Sequence, residues 1–263
     1  MARGLQEAAQ ADQLEIMQLL LENGAEIDEG VIIKARTIPA FQLLIKHGMQ
    51  VNQPLSWGHV PLMYVVLKND ERLLGWFLAQ GANPNLGPSD TNTQRGFVGP
   101  EDQPVPNSGG PLEMAVLTKN PKIVDILLSY GAEMQNALVL HTLIFADRNN
   151  WAKMMEHLVR HRVDINKFGY HPFLDNGGTP LLMAAKAGDV DQGRWLIEHE
   201  ANPLIPDGSG LYPVQWAEIA DEETETCAPP FREWHKKALD LADPETRERL
   251  KQEHARVRYA RCL

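Results

Sequence analysis

The chain has 263 residues, of which 43% are hydrophobic and 23% charged, a composition typical of a folded globular protein. Its formal net charge of -10 makes nucleic acid an unsuitable principal ligand, because binding to a phosphate backbone requires an excess of Lys and Arg. No run of apolar residues is long enough to span a membrane, no signal-peptide core opens the chain, and Cys227 and Cys262 are too few for a disulfide scaffold. We therefore expect no membrane contact and a cytoplasmic protein, with the nucleus left open as a location.

A short sequence phrase recurs along the chain. Its clearest copy covers residues 179–203, and its first half is Pro-Leu followed by a small or apolar residue four places after the proline. We call that last residue the reference position of a repeat. From the first repeat to the seventh, the reference positions are Ala8, Ile32, Val65, Ala115, Ala146, Ala184 and Ala217. Sixteen residues beyond the first six of them lie Gly24, Gly48, Gly81, Gly131, Arg162 and Glu200. The repeated part thus has a constant length, and the length variation lies in the connections.

Each copy predicts an inner and an outer helix. A proline at the start of the inner helix fixes φ at a place where its missing N–H is not needed, and a glycine after the outer helix provides a left-handed C-cap. The outer helix carries an apolar stripe too wide for a solitary helix, so the repeats must stack to bury it. We expect the leucines at reference position +12 to be buried: Leu20, Leu44, Leu127, Leu158 and Leu196.

A period of about 33 residues with two helices and a turn is that of the ankyrin repeat. Residues 4–220 resemble the ankyrin-repeat family. The resemblance implies an all-α solenoid of about six right-handed stacked helix-turn-helix units and a modified seventh, with strands confined to short finger loops or hairpins. It also implies that the connections, or fingers, border a concave groove in which fingers and inner helices bind a partner. We expect residues 1–220 to form the repeats and residues 221–263 to form a C-terminal helical cap.

The connections differ in length. The one between the first and second repeats is nine residues short of 33, so its finger is expected to be absent. The one between the third and fourth repeats is 17 residues longer than 33, and its segment 87–109 is rich in Gly, Pro and polar residues. A loop of this length is either functional or disordered, and a tolerated surface insertion is the alternative.

The finger before the sixth repeat, residues 167–176, is aromatic. It contains Phe168, Tyr170 and Phe173 within eight residues. Aromatic side chains on loops are enriched at recognition sites. The alternative is that they form a small core against the fifth repeat.

The chain after the seventh inner helix departs from the repeat. A helix interior does not accept Pro229 and Pro230, so we expect the next helix to run from Phe231 to Leu241. A further helix is predicted from Pro244 to about Arg261. Both fit a terminal cap, since the last repeat of a solenoid must present one face to water.

The resemblance allows groove positions to be assigned one by one. In the third repeat they fall on Pro54, Ser56, Trp57 and His59 in the finger and on Leu67 and Lys68 in the inner helix. With the matching inner-helix positions of later repeats and the aromatic finger, the predicted binding residues are Trp57, His59, Lys68, Arg148, Phe168, Tyr170, His171 and Lys186. Basic and aromatic side chains in an acidic protein indicate an anionic ligand or an acidic peptide.

No metal site or cofactor is predicted. His157 and His161 are four residues apart, which is metal-ligand spacing, but His157 takes the repeat position of Ile126 and belongs to an ordinary outer helix. No Walker loop and no G-x-G-x-x-G motif occurs in the sequence.

Two functional hypotheses remain. The first is a binding protein that holds a partner protein, a peptide or an anionic ligand in the groove of repeats three to six. The second is an enzyme acting on a small molecule, with the groove closed by the loops 87–109 and 167–176 and with His59, Asp147 and Lys186 as catalytic residues. The family sets the first as the leading hypothesis, although a fold alone does not determine function.

Overall fold

A computed structural model describes residues 2–88, 102–146, 151–170, 176–220, 228–242, 244, 245 and 248. The chain divides into two compact units, one ending at Val139 and the other beginning at Leu140. The described residues form fourteen α-helices, and no described helix is long and apolar enough to cross a membrane.

The first unit contains eight helices arranged as four inner and outer pairs. The inner helices α1, α3, α5 and α7 pack in sequence order, and each pairs with or lies beside an outer helix, α2, α4, α6 or α8. Phe41 of α4 and Phe77 of α6 join their two outer helices through an edge-to-face ring contact of 5.2 Å between centroids. The helices are α1 (Ala2–Gln10), α2 (Leu14–Glu22), α3 (Glu29–Lys34), α4 (Ile38–Lys46), α5 (Pro61–Leu67), α6 (Glu71–Ala79), α7 (Gly110–Leu117) and α8 (Pro121–Ser129).

Local sequence explains where these helices begin and end. The side chain of Asp28 accepts a hydrogen bond from the backbone N–H of Val31 and caps α3, and Asp70 caps α6 in the same way. Pro61 and Pro111 stand in the first turn of α5 and α7, where no intrahelical N–H is required. After α6 the chain turns at Gly81 with a φ of 90°, which only glycine adopts without strain.

Asparagine side chains connect successive repeats on the finger side. The amide nitrogen of Asn85 donates to the carbonyl of Gly131 at 2.8 Å, and its amide oxygen accepts from the N–H of Glu133 at 2.9 Å. Asn52 makes the equivalent pair of bonds to Gly81 and Asn83 one repeat earlier. These asparagines share reference position +20, so one side chain per junction satisfies two backbone groups of the next repeat.

The second unit contains the remaining helices. Helix α11 packs on α12 and α13, and α14 packs on α13 and α12. Trp151 of α10 and Trp195 of α12 meet edge to face at 6.3 Å. The helices are α9 (Val139–Ala146, whose first residue ends the first unit), α10 (Trp151–Arg160), α11 (Pro180–Lys186), α12 (Val190–Glu198), α13 (Pro213–Ala220) and α14 (Ala228–Leu241).

Helix α14 begins three residues earlier than the sequence predicts. It starts at Ala228, so Pro229 and Pro230 lie in its first turn and not before the helix. The first turn tolerates proline because its N–H groups have no intrahelical acceptors. Beyond Ala242 only residues 244, 245 and 248 are described, so most of the helix predicted from Pro244 lies outside the described residues.

The core leucines follow the repeat with one exception. Leu44, Leu127, Leu158 and Leu196 are fully buried, as predicted. Leu20 is only half-buried, so the prediction for this residue was wrong. The pair α1 and α2 packs against other described helices on one side only, and Leu20 therefore lacks the neighbour that covers its counterparts.

Strands are confined to connections in the described residues. Leu86–Gly87 (β1) pairs antiparallel with Val105–Pro106 (β2) and closes the stem of the long insertion. An isolated bridge joins Gly169 to Gly178 in the aromatic finger. The prediction of a helical fold with short finger hairpins is thus confirmed. Residues 89–101 of the insertion lie outside the described residues.

Candidate functional site

The finger of the third repeat is a 3₁₀ turn at Ser56–Gly58 with two consecutive left-handed residues. Trp57 has a φ of 66° and Gly58 a φ of 68°. A positive φ is unusual for a bulky side chain and marks local backbone strain. Trp57 is nevertheless 49% exposed, so it is not held there by burial in a core. An exposed fraction of this size does not fit a tryptophan that packs beneath its own finger.

The stem of the insertion fixes the turn from one side. A Cβ atom at Gly58 would lie 3.1 Å from Cα of Pro88 and 3.5 Å from the carbonyl oxygen of Gln103. Both neighbours are backbone atoms at the ends of the described stem, so glycine is required by close approach as well as by φ. Trp57 is therefore presented next to the place where the insertion leaves the repeat.

Glu29 fixes the turn from the other side. This first residue of α3 accepts hydrogen bonds from the N–H of Ser56 at 3.1 Å and from its hydroxyl at 2.6 Å, both at Oε2. The hydroxyl bond is short, as expected for a charge-assisted bond to a carboxylate. A residue of the second repeat thus positions the finger of the third.

Tyr64 and His59 extend this network along α5. The Tyr64 hydroxyl donates to Oε1 of Glu29 at 3.5 Å and lies 2.9 Å from Nδ1 of His59. The 2.9 Å contact joins the two side chains directly, and which of them donates depends on the tautomer of His59.

The environment shifts the pKa of both His59 and Tyr64. Burial lowers the pKa of His59, and the negative charge of Glu29 opposes part of that shift. Burial raises the pKa of Tyr64, and the charge and hydrogen bond of Glu29 raise it further. Both groups are therefore neutral at physiological pH, and Glu29 supplies the negative charge of the network.

Two cationic side chains, Lys68 and Arg36, lie near each other at the end of α5. Lys68 follows Tyr64 by four residues, on the same side of α5, and its ammonium donates to the backbone carbonyl of Ile33 at the end of α3. Burial, and then the nearby guanidinium of Arg36, lower the pKa of Lys68. Neither cation forms an ion pair with a carboxylate in the part of the chain that the structure describes. Leu67, beside Lys68, is 47% exposed.

In the second unit, the aromatic finger is partly packed. The rings of Phe168 and Tyr170 meet edge to face at 5.9 Å, and they enclose Gly177, where a Cβ would lie 2.7 Å from Phe168. Nε2 of His141, on the fifth repeat, lies 2.9 Å from the carbonyl oxygen of Gly178. These contacts favour the alternative in which the finger forms a small core against the fifth repeat. Phe168 nevertheless remains 37% exposed.

Lys186 lies beside an aromatic ring. Its ammonium is 4.8 Å from the ring centroid of Trp216, a cation–π distance. Asp207, which organises the last finger by accepting from Ser209 and Leu211, also accepts from the indole N–H of Trp216 at 3.0 Å. This lysine is thus placed by repeat packing.

Of the other residues singled out from the sequence, three lie outside the described residues and two histidines lie on α10. Arg148, His171 and the catalytic candidate Asp147 lie outside the described residues. His157 and His161 lie on α10 with ring centroids 4.8 Å apart. Sequence reasoning missed Glu29 and Tyr64. The only sequence signal near Glu29 was the shortened connection before it.

Comparison with known proteins agrees with this architecture. Residues 112–207 match a family model described as ankyrin repeats, in three copies. No curated protein matches the chain significantly.

Among solved structures, the chain is similar to the human ASB11 ankyrin repeat domain, with 17% identity and a TM-score of 0.60 over 87% of this chain and 96% of that one. It is also similar to the ankyrin repeat domain of Bcl-3, described as a unique member of the IkappaB protein family, with 15% identity and a TM-score of 0.52 over 91% of this chain and 86% of that one. Residues 112–207 therefore contain ankyrin repeats, and the chain has the ankyrin-repeat fold.

Proposed function

We propose that the chain is a binding module that holds a partner protein or peptide on the surface formed by Trp57, Leu67 and Lys68, with Arg36 at its edge. The observation that supports this most directly is the exposed Trp57 in a strained backbone conformation. A strained residue persists only where its surroundings enforce it, and here Glu29 and the insertion stem do so. Ankyrin-repeat domains typically bind proteins, which agrees with the proposal.

The surface has the chemistry of an interaction hot spot. Tryptophan contributes large contact area at a small entropy cost, and the exposed Leu67 adds a second apolar anchor. Lys68 retains donors beyond the one used by Ile33, and Arg36 lies close enough to depress the pKa of that lysine. Two neighbouring cations without a carboxylate partner among the described residues favour an anionic group, so we propose an acidic, partly apolar peptide segment as the partner.

The binding role of the other predicted residues stays a prediction. Phe168, Tyr170 and Lys186 carry local contacts in the second unit, and Arg148 and His171 lie outside the described residues. The catalytic candidates that the structure describes are His59, which contacts Tyr64, and Lys186, whose ammonium lies over the indole of Trp216. The exposure of Trp57 favours a binding role.

The test is quantitative affinity capture with the full chain as bait. Proteins retained by the wild type are compared with those retained by Trp57→Ala, by Lys68→Gln and by Tyr130→Ala. Tyr130 is a matched control, since it is 46% exposed but stands at the end of an outer helix. We expect a defined set of proteins to be lost with Trp57→Ala, weakened with Lys68→Gln and kept with Tyr130→Ala. The same losses with all three variants, or with none, would reject the proposed surface.

A further inference from the structure

The outer helix of the first repeat leaves uncovered a position that every other described outer helix up to the sixth repeat buries. At reference position +8, Ile16 is 45% exposed. The residues at the same position of the next five repeats are at most 2% exposed: Ala40, Leu73, Ile123, Met154 and Gln192. An apolar side chain is usual at this repeat position, so the exposure of Ile16 results from a missing neighbour.

Two leucines enlarge the uncovered area. Leu19 is 60% exposed, and Leu20, at reference position +12, is half-buried where its counterparts are fully buried. Positions 16, 19 and 20 have the i, i+3, i+4 spacing of one helix face. We call Ile16, Leu19 and Leu20 the α2 face. It is the side on which a preceding repeat would stack, and the main neighbours of α2 among the described helices are α4 and its own partner α1, whose Gly4 lies near Leu20.

The α2 face is apolar, which is unfavourable for a surface that contacts only water. A helix face that contacts only water is ordinarily polar. An Ile and two Leu on one face form a contiguous apolar patch, which on a folded domain marks an interaction site. The shape and chemistry of the patch are those of a repeat junction, so the matching occupant is the apolar face of a helix.

Charge identifies which helix fits. Glu15 and Glu22 stand on α2 beside the patch, both exposed, and this helix contains no Lys or Arg. A two-fold contact with a second copy would bring these acidic side chains towards their own equivalents, which is repulsive. Basic residues along the edge of the docking helix would be attracted instead.

We propose that the α2 face is a docking site for an amphipathic helix of a partner protein whose apolar stripe is flanked by Lys or Arg, seated as a preceding repeat would be. The site is separate from the surface at Trp57, and neither proposal depends on the other. The partner helix covers Ile16, Leu19 and Leu20, and its basic edge faces Glu15 and Glu22.

The experiment uses two synthetic helical peptides of about 18 residues, or five turns, with the same leucine stripe and either lysine or glutamate flanks. Binding to the full chain is measured by fluorescence anisotropy at moderate salt. The variants are Ile16→Gln with Leu19→Gln, and Glu15→Lys with Glu22→Lys. Leu241→Gln is the control, since Leu241 is an 88% exposed leucine on α14. Circular dichroism verifies that each variant is folded.

We expect the lysine-flanked peptide to bind the wild type and the control, and to bind the Gln double variant at least about tenfold more weakly. The Lys double variant should prefer the glutamate-flanked peptide. Equal binding to the wild type and to the Gln double variant would overturn the proposal. So would a wild-type dimer in sedimentation equilibrium that the Gln double variant abolishes, since the occupant would then be a second copy.

Discussion

Glu29 and Ser56 are joined by two hydrogen bonds across a repeat junction. The backbone N–H and the hydroxyl of Ser56 both donate to Oε2 of a carboxylate 27 residues earlier in the chain. Because the other carboxylate oxygen accepts from Tyr64, one side chain orders both the finger and the inner helix behind it. The conformation of Trp57 is therefore set by a residue of the preceding repeat.

The first prediction concerns the charge of Glu29. Glu29→Gln keeps an acceptor oxygen but removes the negative charge, which is a smaller cause of the raised pKa of Tyr64 than burial. We expect that pKa to fall and to remain above its ordinary value of about 10, because burial is unchanged. Ultraviolet titration of tyrosinate measures it, with Tyr64→Phe identifying the relevant transition among the five tyrosines. An unchanged titration would mean that Glu29 does not act on Tyr64.

The second prediction separates stability from binding at Trp57. Asparagine tolerates a left-handed backbone, whereas for most other residues it costs roughly 1–2 kcal/mol. Since Trp57 is half-exposed, little packing is lost on replacement. We expect Trp57→Asn to leave the free energy of unfolding unchanged or to raise it by up to about 1 kcal/mol, while binding is lost. Urea titration measures the first effect, and a clear loss of stability would show that Trp57 has a structural role.

The third prediction concerns pH. Burial lowers the pKa of His59 in the folded state, so the unfolded chain binds more protons between the folded pKa and the unfolded value near 6.5. Stability contributed by neutral His59 is therefore fully present above that unfolded value and declines as the pH falls below it. Between about pH 7.5 and pH 5, the free energy of unfolding should fall less in His59→Asn than in the wild type. Parallel pH profiles would contradict the prediction.

The repeat phrase predicts the helices because each of its positions has a local cause. Proline, capping residues and a left-handed turn residue recur at fixed distances, so reference positions such as Ala115 locate an inner helix and the buried Leu127 of its partner. The burial of Leu20 was predicted wrongly because Leu20 and Leu127 occupy the same repeat position. Only the absence of a neighbouring repeat distinguishes their surroundings.

Contacts across repeats were less predictable. Trp57, His59 and Lys68 were predicted as binding residues because the family assigns groove positions to them, and that role stays a prediction. Glu29 and Tyr64 were not, since no periodicity relates a residue at the start of α3 to a finger 27 residues later. The early start of α14 has a simpler cause, because sequence does not distinguish a proline in a first turn from one before a helix.

The fourth prediction tests the asparagine links between repeats. Asn85→Ala removes two hydrogen bonds, to Gly131 and Glu133, and should cost about 1–3 kcal/mol of unfolding free energy, since each such bond contributes roughly 0.5–1.5 kcal/mol net. Asn23→Ala is the control, because its exposed amide bonds only to Leu19 within its own helix. Denaturant titration of both variants measures the difference. Equal effects would show that the link across the junction adds nothing to stability.

The fifth prediction compares two isoleucines at the same repeat position. Ile123 is fully buried, so Ile123→Ala removes packed methylene groups and leaves a cavity, at a cost of roughly 2–5 kcal/mol. Ile16 is 45% exposed, and truncating it should cost about 1 kcal/mol or less, because water already contacts much of the side chain. Urea unfolding of both variants provides the comparison, and m values equal to that of the wild type would show that the transition itself is unchanged. If Ile16→Ala were as destabilising as Ile123→Ala, Ile16 would be covered in solution by a surface that the chain itself provides. The α2 face would then be unavailable to a partner helix.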